Sequence, residues 1–158
     1  MTERPNPYTS HVIDIDRQLD GDYLLIVYSL TENDLRIMDG LPKRIPGNAT
    51  IAEFGAAVVV SLALCRIGLP PYFRGDDLMG PFLSFVGAKS EATYKRGIRS
   101  VGVTANYVDQ IDEIRVTPFA NQGSRAGFTP IMEHRKVFPF QSPEQLGRAV
   151  LDAFEYAT

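Results

Sequence analysis

The sequence predicts an α+β fold: a single domain with a mainly antiparallel sheet and two long helices packed on it. The chain has 158 residues, of which 44% are apolar, which suffices for one hydrophobic core. Two segments have the period of amphipathic helices, and several short segments alternate with the period of strands. Elements of both kinds bury their apolar sides against each other in a layered domain.

The two long helices begin with the same pattern. Thr50 and Ser142 each offer a hydroxyl to the first free backbone N–H groups, and Glu53 and Gln145 follow three residues later, as in a capping box. A basic pair and an apolar residue precede each start, in Lys43-Arg44-Ile45 and Arg135-Lys136-Val137. The pattern predicts that the two helices are entered in the same way.

A glycine lies in the second turn of both helices, at Gly55 and Gly147. Glycine inside a helix costs about 1 kcal/mol relative to alanine. Because this cost occurs twice at the same place, we expect the backbones to pack closely there.

The first long helix is predicted from Ile51 to about Arg66, with Gly68 and the following prolines ending it. Apolar residues occur on several of its sides, so we expect a central helix. The last helix is predicted from Pro143 to Tyr156. A short helix is predicted to begin at Pro81 and to stop at Gly87.

Before these helices, residues 1–10 are predicted to form a loose leader, and residues 11–158 the domain. Tyr23–Tyr28 is an apolar run typical of a buried strand, with Val12–Ile15 as its hairpin partner. For residues 31–40 the sequence leaves one helical turn and a loop open.

Ser100–Tyr107 and Glu113–Pro118 alternate with period two and predict an antiparallel hairpin with its turn at residues 108–112. Residues 128–132 and 136–140 are predicted to give one or two more extended segments. Their prolines favour positions near an edge of the sheet.

Composition and charge exclude several classes of protein. The formal charge is −3, whereas nucleic-acid-binding domains usually carry a strong basic excess. The N-terminal residues lack the basic and apolar parts of a secretory signal. The longest apolar run is about half the length that crosses a bilayer. The single cysteine, Cys65, permits a reducing compartment, so we expect a cytoplasmic protein without a membrane partner.

We find no apparatus for catalysis, so neither an enzyme nor a cofactor is predicted. His11 and His134 have no metal-ligand spacing, and nucleotide-binding or nucleophile motifs do not occur. A divalent cation at Asp109, Asp112 and Glu113 is possible in principle. These residues lie in a predicted turn, where acidic side chains commonly stabilise the loop, so no metal is predicted.

A cysteine and a basic segment could also have a function. Cys65 could be a nucleophile, but its apolar helix favours a buried, inert thiol. The basic residues between Lys89 and Arg99, with Tyr94 among them, could contact phosphates and stack a base. A nucleic-acid-binding domain that uses this segment is therefore the alternative function, although a solvated basic segment is the simpler interpretation.

A set of motifs in a fixed order resembles the immunity proteins of bacterial contact-dependent growth inhibition systems. The resemblance runs from about residue 44 to the end. It is carried by Gly87-Ala88-Lys89-Ser90, Tyr94, Arg96, Val101, Val103, Glu113-Ile114, Val116, Pro118, Gly127-Phe128, Pro130 and Ser142–Val150.

The resemblance implies a cytoplasmic protein that binds the C-terminal toxin domain of such a system, often a nuclease, and neutralises it. Motifs shared across different toxins serve the fold more than the interface, since partner-specific surfaces must vary. We therefore assign a structural role to Gly55, Lys89, Ser90, Tyr94, Arg96, Pro118 and Gly147. The toxin contacts are predicted on charged positions near the turns, at Asp109, Asp112, Glu113 and Arg125. The oligomeric state is left open.

Overall fold

The computed structural model describes residues 10–73, 77–107, 109–123 and 125–158. The strands are β1 (Ser10–Arg17), β2 (Tyr23–Thr31), β3 (Arg36–Met38), β4 (Lys43–Ile45), β5 (Ile67–Leu69), β6 (Arg99–Tyr107), β7 (Ile111–Asn121), β8 (Phe128–Pro130) and β9 (Lys136–Pro139). The helices are α1 (Ile51–Ala63), α2 (Met79–Val86), α3 (Glu91–Lys95) and α4 (Pro143–Phe154).

Within the described residues, the strands form one sheet with the order β3-β2-β1-β6-β7-β8. Strands β4 and β5 also pair with β2, and β9 pairs with β7. All pairs are antiparallel except β2 with β5. The predicted α+β class is confirmed, and so are the hairpins of β1 with β2 and of β6 with β7.

The main core lies between one face of the sheet and the two long helices. Alternate residues of the central strands point to this face, and Phe54 and Val58 of α1 meet Leu146 and Val150 of α4 there. The strand residues of this core include Ile13, Ile15, Leu25, Val101, Val103, Ala105, Ile114 and Val116. This arrangement confirms that both long helices pack on the sheet.

Helices α1 and α4 cross at the two glycines, as the sequence predicted. A Cβ atom on Gly55 would overlap the carbonyl oxygen of Pro143. A Cβ atom on Gly147 would lie 3.0 Å from the Cα of Gly55. Side chains cannot be accommodated at this crossing, which explains why both helices contain a glycine at the same position.

The two helix starts are capped differently. The Thr50 hydroxyl accepts the N–H of Glu53, and the Glu53 carboxylate accepts the N–H of Thr50, so this capping box is complete. Ser142 accepts the N–H of Gln145, but the Gln145 side chain accepts the N–H of Gln141 instead. The prediction of a reciprocal capping box at the second helix is therefore wrong, because the Gln145 side chain bonds to residue 141 and not to residue 142.

The first long helix is shorter and less central than predicted. It ends at Ala63, and the chain then turns to pair Ile67–Leu69 with β2, held by hydrogen bonds between Arg66 and β2. Val60 and Leu64 are 50% and 58% exposed. The prediction that several sides of α1 are covered is therefore wrong.

Other boundaries also differ from the predictions. Ser10 belongs to β1, while residues 1–9 of the predicted leader lie outside the described residues. The open segment at 31–40 contains β3, which pairs with β2. Helix α2 begins at Met79, with the Asp77 carboxylate accepting the N–H of Gly80, and it ends at Gly87 as predicted.

Candidate functional site

A pocket lies on the second face of the sheet, beneath α2 and α3. Its volume is about 290 Å³. The aromatic part of its wall comprises Tyr28, Phe82, Tyr94, Phe119 and Phe128. The polar and charged part comprises Asp14, Asp16, Glu91, Lys95 and Ser100. Carboxylates inside an aromatic pocket form an environment that can select a ligand by both shape and charge.

Side chains alternate between the two faces of the sheet along β1, and this alternation directs the two aspartates to the pocket. Ile13 and Ile15 point into the main core, so Asp14 and Asp16 point to the opposite face. Strands β2 and β6 pair with β1 on its two sides. The aspartates therefore lie near the middle of the sheet, where strands on both sides exclude much of the solvent.

Asp16 is buried, and each of its carboxylate oxygens accepts a hydroxyl group. The Tyr94 hydroxyl donates to one carboxylate oxygen at 2.6 Å, and the Ser100 hydroxyl donates to the other at 2.7 Å. Ser100 lies directly across from Asp16 in the pairing of β1 with β6. Burial nevertheless raises the pKa of Asp16, because desolvation outweighs these hydrogen bonds and the attraction of Lys95.

Asp14 is the less satisfied of the two carboxyl groups. Burial raises its pKa to about 7, and repulsion from Asp16 acts in the same direction. A hydrogen bond from the Tyr28 hydroxyl opposes the shift. The Asp14 carboxyl therefore exchanges its proton near neutral pH. Burial and the neighbouring carboxylates also raise the pKa of Tyr28 and Tyr94, so both phenols remain protonated donors.

Helices α2 and α3 form the roof of the pocket. Ser90 caps α3 by accepting the N–H of Thr93, and Gly87 ends α2 in a left-handed conformation that favours glycine. The rings of Phe82 and Tyr94 then meet edge to face, with centroids 4.8 Å apart. The side chain of Asn121 donates to two carbonyl groups at the end of α3, which fixes this helix to β7.

A glycine on the sheet makes room for one aromatic wall. Gly102 is paired with Asp14, and a Cβ atom there would lie 2.7 Å from the ring of Phe119. The ring therefore lies over the glycine and beside the Asp14 carboxyl. A larger residue at this position would displace Phe119 from the pocket.

Three of the predicted toxin contacts lie at one end of the β6–β7 hairpin, and the fourth lies beyond the other end of β7. Asp109 is exposed at the turn between β6 and β7, whereas Asp112 is exposed within β7, which begins at Ile111 and so shortens the predicted turn. Glu113 pairs with Arg115 at 3.3 Å. Arg125 is exposed in the loop after β7. Because β7 has 11 residues, its two ends are about 30 Å apart. The four residues therefore do not form one surface, and their role in toxin binding stays a prediction.

The residues that were assigned a structural role occupy several environments. Ser90 and Tyr94 hold α3 over the pocket, and Pro118 is buried in β7 opposite Val101. Lys89 and Arg96 are exposed. The contacts of Ser90 and Tyr94 place part of the shared motif at the candidate site itself.

The basic segment between Lys89 and Arg99 contains a short helix before the chain enters β6. Its centre is the short helix α3, in which Lys95 bonds to Glu91 at 2.7 Å. Tyr94, the ring that could stack a base, is engaged by Asp16 and Phe82. Arg99 remains exposed at the beginning of β6.

The structure also bears on three other possibilities: a reactive thiol, a metal site and a membrane span. Cys65 is buried, as predicted, but it follows the end of α1 and does not lie within the helix. Burial raises the pKa of its thiol to about 11, and its reactivity stays a prediction. In the described part of the chain, no three His, Cys, Asp or Glu side chains cluster as a metal site would require. Within the same residues, no helix has the length and apolar character of a membrane span.

Asp14, Asp16, Tyr28 and Ser100 were not singled out from the sequence. A signal does exist, because two acidic residues alternate with isoleucines in a strand whose partner is apolar. Such carboxylates are ordinary at a sheet edge and unusual at its centre. Recognising them requires the pairing of β1 with β6, which are separated by more than 80 residues.

Comparison with solved structures shows the same fold in proteins of very different sequence. A protein of unknown function from Neisseria meningitidis matches with a TM-score of 0.70 and 14% identity, covering 100% of both chains. A chain of the CdiA-CT/CdiI toxin and immunity complex from Yersinia pseudotuberculosis matches with a TM-score of 0.67 and 13% identity, covering 94% of this chain and 98% of that one. No protein-family model matches the chain, and a search of curated proteins found no match.

Proposed function

We propose that this chain is a cytoplasmic immunity protein that binds and neutralises the toxin domain of a contact-dependent growth inhibition system. The observation that carries the proposal is the likeness over 94% of the chain to part of a toxin and immunity complex. The ordered motifs from about residue 44 to the end independently support the same class. A protein partner is thus favoured over a small-molecule substrate.

The pocket also supports binding over catalysis. Asp14 has a pKa suited to proton transfer, but no nucleophile and base are paired beside it among the described residues. The Ser100 hydroxyl donates to a carboxylate, and the thiol of Cys65 belongs to the other face of the sheet. The chain acts by occupying a surface of its partner and has no reaction of its own.

Charge favours a partner with a basic surface. The chain has a net charge of −3, and its pocket has three acidic side chains against one lysine. A nuclease toxin needs a basic surface to hold its substrate backbone. An acidic inhibitor would be steered to that surface and would block it.

The test is co-expression with the toxin domain encoded beside this chain. We expect a stable one-to-one complex with nanomolar affinity, and normal growth of cells that produce both proteins. An immunity protein of an unrelated toxin serves as the matched control and should not protect. If this chain neither binds the toxin nor protects the cells, the proposal is wrong.

A parallel titration with DNA and RNA at low salt examines the alternative function. Nucleic-acid binding through the Lys89–Arg99 segment would weaken steeply as salt is added. We expect no such binding, since Lys95 is paired and Tyr94 is engaged by its neighbours.

A further inference from the structure

We propose that the pocket beneath α2 and α3 binds one organic cation, a guanidinium or alkylammonium group, against the carboxylate of Asp14. Under the proposed function, on which this part of the inference rests, the cation is an arginine or lysine side chain of the toxin.

The charge of the pocket favours a cation. Asp14, Asp16 and Glu91 line it together with a single basic residue, Lys95. The ammonium group of Lys95 lies 2.7 Å from the Glu91 carboxylate, so its charge is already paired. The ionised pocket therefore keeps an excess of negative charge, which repels phosphate groups and attracts cations.

The hydrogen bonds identify Asp14 as the group that receives the ligand. Both carboxylate oxygens of Asp16 already accept a hydroxyl. Among the described residues, the Tyr28 hydroxyl is the one side-chain donor that favours ionised Asp14. A carboxylate has about four acceptor positions, so Asp14 keeps capacity for the donors of a guanidinium or ammonium group.

The walls of the pocket fit the same ligand. The rings of Phe82, Tyr94 and Phe119 line the same pocket as Asp14, with Phe119 beside the carboxyl, and aromatic faces attract cations. The volume of about 290 Å³ is at the lower end of the range for ligand pockets. It suits one side chain with an alkyl stem better than a larger molecule.

The first experiment uses the protein alone, with n-butylguanidinium as the probe and the uncharged n-butylurea as its matched control, in calorimetric titrations. We expect the wild type to bind the cation and not the urea. Asp14→Asn should weaken this binding by about tenfold or more, because a hydrogen bond to a charged group is lost. Asp152→Asn, which changes an exposed carboxylate on α4, should have no effect.

The dependence on pH provides a second readout. Cation binding requires ionised Asp14, so the affinity should rise with pH through about 7 and level off above that value. The other titratable groups that line the pocket are Asp16 of β1, Tyr28 of β2 and Glu91, Tyr94 and Lys95 of α3. Tyr28→Phe removes the hydrogen bond that lowers the pKa of Asp14, so this variant should shift the rise to higher pH. Asp14→Asn should abolish it.

Equal binding of both probes, or an unchanged affinity in Asp14→Asn, would overturn the inference. The toxin supplies a separate experiment. We expect Asp14→Asn to weaken the complex and n-butylguanidinium to compete with the toxin. If the toxin binds the wild type and Asp14→Asn equally well and the cation does not compete, the inference fails while the proposed function stands. If the cation binds and the toxin does not, the proposed function fails and the pocket is a site for small cations.

Discussion

The two faces of the sheet are built from the same strands, yet they have opposite character. The face beneath α1 and α4 is apolar at its centre, and its helices touch backbone to backbone at Gly55 and Gly147. The face beneath α2 and α3 has a small apolar cluster around Phe82 and, beside it, a cavity with buried carboxyl groups. The first face holds most of the buried apolar side chains of the described residues, and the second contains the cavity.

The difference shows how one strand can serve two purposes. In β1, the isoleucines at 13 and 15 fill the core, while the aspartates at 14 and 16 face the pocket. Burial of carboxylates costs free energy, as the raised pKa of Asp14 indicates. A densely packed opposite face can offset this cost.

The largest effect is expected at the helix crossing. Gly55→Leu should destabilise the protein by about 5 kcal/mol or prevent folding, because a side chain there collides with the backbone of α4. Urea unfolding followed by circular dichroism measures the change. Ala56→Leu is the matched control, since residue 56 is exposed on the same helix. Similar stability of the two variants would show that the crossing does not depend on close contact.

Smaller losses of stability are expected when an aromatic ring is removed from either face of the sheet, and their sizes compare the two faces directly. Phe54→Ala should lower the free energy of unfolding by about 4 kcal/mol, because Phe54 is 2% exposed in the main core. Phe82→Ala should cost only about 2 kcal/mol, because its ring already borders a cavity and the site can relax. The same unfolding measurement compares both variants. Equal losses would contradict the division between a dense face and an open one.

The last predicted effect is a change in stability that depends on pH. The pKa of Asp14 is raised in the folded state, so between about pH 4 and about pH 7 the folded protein holds a proton that the unfolded chain releases. The free energy of unfolding should therefore fall as the pH rises through this range. Asp14→Asn should therefore be more stable than the wild type at pH 8 by about 2 kcal/mol, because the full shift from 3.8 to about 7 corresponds to about 4 kcal/mol and solvent screens the half-buried side chain. The gain should be small at pH 4, where the wild-type carboxyl is protonated. Parallel unfolding curves at the two pH values would check this, and a gain that does not change with pH would contradict it.

Much of the fold could be predicted from the sequence because its main elements have local signals. The long helices have capping residues at Thr50 and Ser142, and the strands of the β6 and β7 hairpin alternate clearly. The short strands β3, β4 and β5 have three residues each, which is too few to show a period. They exist because they pair with β2, and tertiary pairing of this kind leaves little trace in the local sequence.

The candidate site was harder to predict, for a related reason. Asp109 and Asp112 were predicted as partner contacts because they lie in a predicted turn and because polar loops often bind partners. Asp14 and Asp16 look like the solvent side of an ordinary strand. Their significance depends on burial, which follows from the sheet order and from the position of Tyr94 on a helix far along the chain.

The alternation of β1 has a consequence for how such a protein can diversify. Substitutions at even-numbered positions of the strand can change which chemical group is recognised while the residues that fill the core stay the same. A family built on this arrangement can acquire new specificities quickly and keep its shape, even when little of the original sequence survives.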